Sequence, residues 1–198
     1  MTVTKTDLVS QQQHALKKYS TKVINLIGGP STGKSVMAAV IFVHLKLAGK
    51  TAESVPEFAK SLVWQKDFEA LKNQYLLSQK QYEMLKMLDG ELQYIITDGP
   101  LIQQLYYNKH YENNICNIEK THKQILSWYN EFENINIFLE RNPTVLYEQA
   151  GRYQKENQAK SIDPVLEQML IDEGVKYFKV KSDITVMNEF VKHTILTS

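Results

Sequence analysis

The sequence has a single cysteine, Cys116, and therefore forms no internal disulfide. A lone cysteine is typical of a reducing compartment, and we interpret this one as a packed or unreactive thiol. No apolar run approaches the roughly 20 residues that a membrane-spanning helix needs, and residues 1–20 are too polar for a signal peptide. We therefore expect a cytoplasmic protein with no membrane partner.

The sequence also lacks an excess of charge of either sign. It carries 23 lysines and arginines against 22 aspartates and glutamates. No overall basic field is available to collect nucleic acid, so a nucleic-acid partner is not favoured, although a local basic groove stays compatible with these totals. No cysteine and histidine cluster indicates a zinc site.

What remains is an ordinary globular composition. Hydrophobic residues make up 43% and charged residues 23% of the 198 positions. Domain-length statistics favour one domain over residues 1–198. We expect a monomer or a homodimer.

A phosphate-binding loop follows the first apolar run. Its residues are Gly28, Gly29, Pro30, Ser31, Thr32, Gly33, Lys34 and Ser35. This is the P-loop spacing, and it lies between a predicted strand and a predicted helix. Loop N–H groups and the start of the helix bind phosphate, Lys34 adds a cation for the β- and γ-phosphate oxygens, and Ser35 offers a hydroxyl to Mg²⁺. The motif predicts a nucleotide site with ATP and Mg²⁺.

Predicted strands and helices alternate along the chain. Apolar runs predict strands at 23–27, 51–55, 92–97, 135–139 and 175–180. Helical periodicity predicts helices at 36–48, 56–64, 67–88, 118–132, 163–170 and 183–195, and residues 107–117 are expected to be irregular. This order indicates an α/β fold, a three-layer sandwich around a five-stranded parallel sheet with ligands at the carboxyl ends of the strands.

Acidic residues follow two of these strands. Asp98 ends the third strand, where a carboxylate on the magnesium side is expected. Glu57 follows the second strand and is a candidate for binding or deprotonating a hydroxyl. Glu53, inside that weak strand, competes for this role, and we favour Glu57.

Both arginines of the chain lie near a polar segment after the fourth strand. Arg141, Arg152 and Lys155 carry its positive charge, and a guanidinium suits phosphate oxygens better than an ammonium does. We expect a lid at about 142–162 that excludes water, with Arg152 stabilising charge during transfer and Arg141 as a second candidate for that role.

Four segments make the chain similar to a P-loop kinase group that includes the nicotinamide riboside kinase domain and bacteriophage ATPase-like proteins. They are Gly28–Ser35, Pro56–Lys60, Thr97-Asp98, and Gly151–Glu156 with Ala159 and Ile162-Asp163. The resemblance extends from about Val23 to Val180. It implies a nucleoside or nucleotide kinase-like fold, ATP as phosphoryl donor with Mg²⁺, and, for a phage protein, the host cytoplasm.

The resemblance also implies roles for individual residues. Glu57 and Asp98 lie at the acceptor, and Arg152 lies in the lid. The chain differs from many relatives in having Lys60 in place of arginine, and from the riboside kinases in having Gly99-Pro100 after the aspartate.

The function expected from the sequence is an ATP-dependent kinase. It transfers the γ-phosphate to a hydroxyl or phosphate of a small nucleoside- or nucleotide-type acceptor held by Glu57 or Asp98, and either of the two is a candidate base. Two alternatives stay open: a kinase acting on hydroxymethylated bases in DNA, and a nucleotide-hydrolysing switch or assembly ATPase.

Overall fold

The computed structural model describes residues 17–142 and 156–197. The strands are β1 (Lys22–Ile27), β2 (Ala52–Val55), β3 (Tyr94–Thr97), β4 (Glu133–Glu140) and β5 (Phe178–Lys181). The α-helices are α1 (Lys34–Leu47), α2 (Phe58–Gln65), α3 (Gln74–Lys86), α4 (Leu101–His110), α5 (Ile118–Tyr129), α6 (Glu156–Asp172) and α7 (Ile184–Phe190). A 3₁₀ turn (Ala70–Lys72) precedes α3, and a π-helical turn (Val191–Ile195) follows α7.

The five strands form one parallel sheet in the order β2-β3-β1-β4-β5. In this sheet Asn25 of β1 lies beside Thr97 of β3 and Asn136 of β4. The carboxyl ends of β1, β2 and β3 therefore meet at one edge, where the P-loop, Glu57 and Asp98 follow them. The α/β fold with a five-stranded parallel sheet is confirmed.

Helices cover both faces of the sheet and complete the three layers. Along β1, Ile24 and Leu26 pack against α1 and α7, whereas Val23 and Ile27 pack toward α3, α4, α5 and α6. Alternate side chains of a strand point to opposite faces, so a strand buried on both sides is mostly apolar. The buried Asn25 is the polar exception in β1. Among the described residues, no helix combines the length and the apolar character that crossing a membrane requires.

The helix predicted at 67–88 is wrong in its first part. The regular helix starts only at Gln74, after the 3₁₀ turn. Asn73 is the reason, because its side-chain oxygen accepts the N–H of Leu76 at 2.9 Å and caps α3.

Helix α4 falls in a part of the chain for which no helix was predicted, and its last residues belong to the segment expected to be irregular. Three of its polar residues, Gln103, Gln104 and Asn108, are at most 3% exposed. These buried polar side chains interrupt the apolar pattern that indicates an amphipathic helix.

Helix α6 begins at Glu156, upstream of the start predicted at Asp163, and contains Pro164 in its interior. The side chain of Asp163 does not cap this helix, because it binds the P-loop. The helix predicted at 183–195 changes at Val191 from α- to π-helical geometry.

Candidate functional site

The P-loop bends between the end of β1 and the first turn of α1. Gly33 has φ +90° just before α1, a left-handed conformation that glycine adopts without a Cβ clash. Ser31 has φ 64°. A positive φ is uncommon for a residue with a Cβ, and residues with such backbone angles cluster at ligand and active sites. The N–H and the hydroxyl of Thr32 donate to the carbonyl of Gly29 at 3.3 and 2.9 Å. The bent loop leads directly into the positive end of α1, an arrangement that attracts anions.

Lys34 lies across this loop. Its Nζ donates to the carbonyl of Gly28 at 2.7 Å and to that of Gly29 at 3.1 Å, and its side chain lines the adjoining cavity. The loop therefore holds a compact cation beside its own N–H groups. Charge-assisted hydrogen bonds to a phosphate are stronger than neutral ones, so this placement suits a polyphosphate.

Asp98 links two neighbouring segments through its carboxylate. Oδ2 accepts the hydroxyl proton of Ser35, and Oδ1 accepts the main-chain N–H of Glu57 at 3.0 Å. Strands β1 and β3 pair directly, which explains why the two predicted magnesium ligands, Ser35 and Asp98, lie in contact. Both offer hard oxygen atoms, and Mg²⁺ is commonly held by one or two carboxylates together with phosphates and water, so the pair fits this metal.

Glu57 is the N-cap residue of α2, with extended backbone angles. Its side chain is half-buried and lines the same cavity as Lys34, Ser35 and Asp98. Glu53, its competitor in the sequence, is exposed within β2 and does not line that cavity. The structure thus brings Glu57, and not Glu53, to the P-loop.

Two further residues fix the position of Glu57. Gln81 of α3 accepts the N–H of Phe58 at 2.9 Å and donates to the carbonyl of Pro56 at 3.3 Å. On the other side, a Cβ at Gly99 would lie 2.5 Å from the Cα of Glu57. The glycine is required because the chain after β3 touches the chain after β2.

Arg141 and Asp163 form a clasp on the outside of the P-loop. Nε of Arg141 donates to Oδ2 of Asp163 at 2.9 Å, and Nη1 donates to the carbonyl of Pro30 at 3.0 Å. Oδ1 of Asp163 accepts the N–H of Gly29 at 2.8 Å. Both side chains are 18% exposed. Arg141 is not among the residues that line the cavity, and its described contacts are at the flank of the P-loop. Its role in stabilising charge during transfer stays a prediction.

The second arginine, Arg152, and Lys155 lie outside the described residues, as does most of the lid predicted at 142–162. The described part of that segment comprises Asn142 and the first turns of α6. One side chain of the resemblance, Asp163, follows it directly and contacts the P-loop.

The cavity beside the P-loop has a volume of about 210 Å³. Its polar end carries Lys34, Ser35, Glu57 and Asp98. The remainder of its lining is Pro30, Ser31, Gly33, Val36, Ala59, Lys60, Val63, Leu71, Gln74, Leu77, Gln104, Tyr107 and Tyr111. A polar end next to apolar walls is the usual composition of a small-molecule site.

Tyr107 of α4 stays protonated in this cavity. Burial raises the pKa of its hydroxyl far above the ordinary value, and the nearby charge of Glu57 raises it further. A neutral phenol both donates and accepts hydrogen bonds. Tyr107 therefore contributes a polar neutral group, in contrast to the acidic Glu57.

The polar residues of α3 and α4 were missed in the sequence. Gln74, Gln104 and Tyr107 line the cavity, and Gln103 accepts the N–H of Gly28 at 3.0 Å. The signal available was a set of glutamines at positions where a helix facing the core should be apolar. A buried amide needs a partner, so such positions point to a polar site.

One family model, described as an AAA domain, matches residues 23–185. In the comparison with curated proteins, none matches the chain. The matched range begins in β1 and extends into α7, so it includes the P-loop, both acidic residues and the clasp.

Proposed function

The chain belongs to the AAA-domain family, whose P-loop fold is that of nucleotide-binding NTPases, and from this premise we propose that it is an ATP-dependent kinase of a small nucleoside-type acceptor. The observation that carries the proposal is the partly apolar cavity joined to the P-loop. An attacking water needs no apolar pocket, whereas an organic acceptor does.

The P-loop binds the donor in this proposal. N–H groups of the loop and the start of α1 hold the triphosphate of ATP, with Lys34 balancing its charge. Ser35 and Asp98 would hold Mg²⁺, which would supply positive charge to the phosphate oxygens during transfer. In this proposal ATP and Mg²⁺ would lie at the end of the cavity that contains Glu57.

Glu57 acts as the base. Asp98 would be occupied as a ligand of Mg²⁺, and a carboxylate that binds a metal ion is a poor proton acceptor, which favours the Glu57 side chain for proton transfer. The acceptor oxygen forms a bond to the γ-phosphorus while the bond from that phosphorus to the β–γ bridging oxygen breaks. The hydroxyl proton passes to Glu57, and ADP leaves.

The size of the cavity supports a small acceptor. About 210 Å³ is below the roughly 300–1,000 Å³ of pockets for drug-sized ligands. A free nucleoside suits this volume better than a base carried on a DNA strand. The resemblance to nicotinamide riboside kinases supports the same acceptor class.

A switch or assembly ATPase is the second candidate, and the family's description as an AAA domain is the observation that favours it. Incubation with labelled ATP and a panel of nucleosides, nucleotides and nicotinamide riboside separates the two. A kinase hydrolyses ATP slowly until an acceptor arrives and then forms a labelled phosphoester. Brisk hydrolysis with no labelled acceptor would reject the kinase.

A magnesium titration tests the metal site. We expect Asp98→Asn to keep the hydrogen bond from Glu57, because the amide oxygen still accepts it, and to lose the charge that binds the metal. The Mg²⁺ concentration for half-maximal rate should rise at least about tenfold. Asp67→Asn, at an exposed position away from the cavity, should leave this Mg²⁺ concentration unaltered. If Asp98→Asn also leaves it unaltered, the proposed metal site is rejected.

A further inference from the structure

A buried amide lines the cavity with its oxygen unpaired. Gln74, the first residue of α3, is 3% exposed. Its Nε2 donates to the carbonyl of Leu71 at 2.7 Å. Its Oε1 has no hydrogen-bond partner. Among the side chains described within residues 17–142 and 156–197, it is the only buried nitrogen or oxygen without a hydrogen-bond partner.

The donor bond determines which end of the amide is available. Turning the amide by half a rotation would place Oε1 against the carbonyl of Leu71, and two acceptors repel each other. The polar atom that Gln74 retains for a ligand is therefore an acceptor.

No described residue donates a hydrogen bond to this oxygen. The lining residues Ala59, Val63, Leu71 and Leu77 have apolar side chains and belong to one apolar cluster, while Lys60, Gln104, Tyr107 and Tyr111 add polar groups elsewhere in the lining. An unpaired polar atom in such a wall destabilises the folded protein, and native structures keep few of them. A bound molecule that carries an N–H group would pair it.

We propose that Gln74 determines acceptor specificity: Oε1 accepts an N–H of an uncharged nucleoside whose base carries an amino or amide group. This inference rests on the proposed kinase function. The hydroxyl of such an acceptor lies at the end of the cavity with Glu57 and Asp98, while its flat base lies between apolar walls. An anionic base is disfavoured, since Gln74 presents an oxygen and not a donor.

Paired nucleosides that differ by one amino group test the inference on the full chain. Adenosine is compared with purine riboside, and cytidine with pyrimidin-2-one riboside, by titration calorimetry. We expect at least one amino-bearing nucleoside to bind about tenfold more tightly than its partner, because one neutral hydrogen bond is lost. In Gln74→Met the two members of that pair should bind equally.

A matched control from the same helix is Gln79→Met, the same change at a position that does not line the cavity, and it should preserve the tenfold difference. Thermal unfolding checks for a purely structural role. Gln74→Met should lower Tm less than Gln81→Met, because the oxygen of Gln81 already pairs with the N–H of Phe58. If Gln74→Met lowers the Tm below that of the wild type and still discriminates between the paired nucleosides as the wild type does, the proposal is overturned.

Two other results also overturn it: neither amino-bearing nucleoside binds the wild-type protein, or Gln74→Met discriminates within the pair as the wild type does. Failure of the kinase function is a separate result. A nucleoside that binds with the expected discrimination but is never phosphorylated rejects the kinase and leaves the recognition by Gln74 intact.

Discussion

The main-chain N–H of Glu57 donates to Oδ1 of Asp98 over 3.0 Å. This bond joins the residue that follows β2 to the residue that follows β3. The other oxygen of the same carboxylate contacts Ser35, the last residue of the P-loop. One side chain therefore sets the spacing of all three segments. It bonds the main chain of Glu57, so a change at the Glu57 carboxylate leaves this bond in place.

Replacing Glu57 by glutamine should impair transfer and spare nucleotide binding. The main-chain bond to Asp98 remains, while the proton acceptor is lost, and general-base catalysis contributes about 10²–10⁴-fold. We expect kcat to fall at least about 100-fold with the Kd for ATP nearly unchanged. Glu53→Gln in the exposed part of β2 is the matched control, and equal effects of both changes would contradict the assignment.

Lys34→Ala should abolish turnover and leave the fold intact. The ammonium lies across the P-loop carbonyls, and removing a charge that stabilises the transferring group costs about 10²–10³ in rate. Steady-state kinetics and thermal unfolding check the two expectations. Lys46→Ala, at an exposed position of the same helix, should leave the rate as it is; a Lys34→Ala protein with wild-type turnover would show that the site lies elsewhere.

Asp163→Asn should weaken the clasp of Arg141 on the P-loop. The asparagine oxygen still accepts the N–H of Gly29, but the ion pair is lost, so we expect about 1–3 kcal/mol of destabilisation in urea unfolding. ATP affinity should fall as well, since the loop loses its external support. Asp172→Asn at an exposed position of α6 should change neither quantity. Additive effects of Asp163→Asn and Arg141→Lys would show that the pair is not coupled.

Gly99→Ala should separate the ends of β2 and β3. The new methyl group would lie 2.5 Å from the Cα of Glu57, and the main chain has to move because the neighbouring atom belongs to the backbone. We expect about 1–3 kcal/mol of destabilisation and a lower kcat. Ser54→Ala, an exposed change in β2, serves as the control. Wild-type stability and rate in Gly99→Ala would contradict the tight contact.

Stability should rise with pH around the titration of His110. The imidazole stacks on Tyr106 with the ring centres 4.6 Å apart, and burial, with the charge of Lys109 adding to it, lowers the pKa of His110. The unfolded chain then binds the proton more readily, so the free energy of unfolding increases from the folded pKa up to about pH 6.5. His110→Gln should reduce this increase in Tm between pH 5 and 7.5, and an identical pH profile would contradict the argument.

The parts of the fold that depend on local pattern were predictable from the sequence. The P-loop spacing located the loop between β1 and α1, and the apolar runs located the strands within a few residues. The sheet order β2-β3-β1-β4-β5 was not predictable from the sequence, because it depends on contacts between strands that are distant in the chain.

The candidate site was predictable only where its residues follow strands. Glu57 and Asp98 are such residues, whereas Gln74 and Tyr107 lie on helices and have no distinguishing spacing. Arg141 stands out in the sequence as one of two arginines, whereas its partner Asp163, followed by Pro164, has the pattern of a helix start. A side chain that binds a distant loop resembles a local cap when only the sequence is known.

The central position of β1 has a consequence for how the protein reaches its native state. Both neighbours of β1, β3 and β4, come from much later in the chain, so closing long loops precedes the favourable contacts and folding is slow. A nascent chain that has not yet released β4 from the ribosome would leave one edge of β1 unpaired. Nucleotide binding should therefore begin late in synthesis, although the P-loop itself is made early.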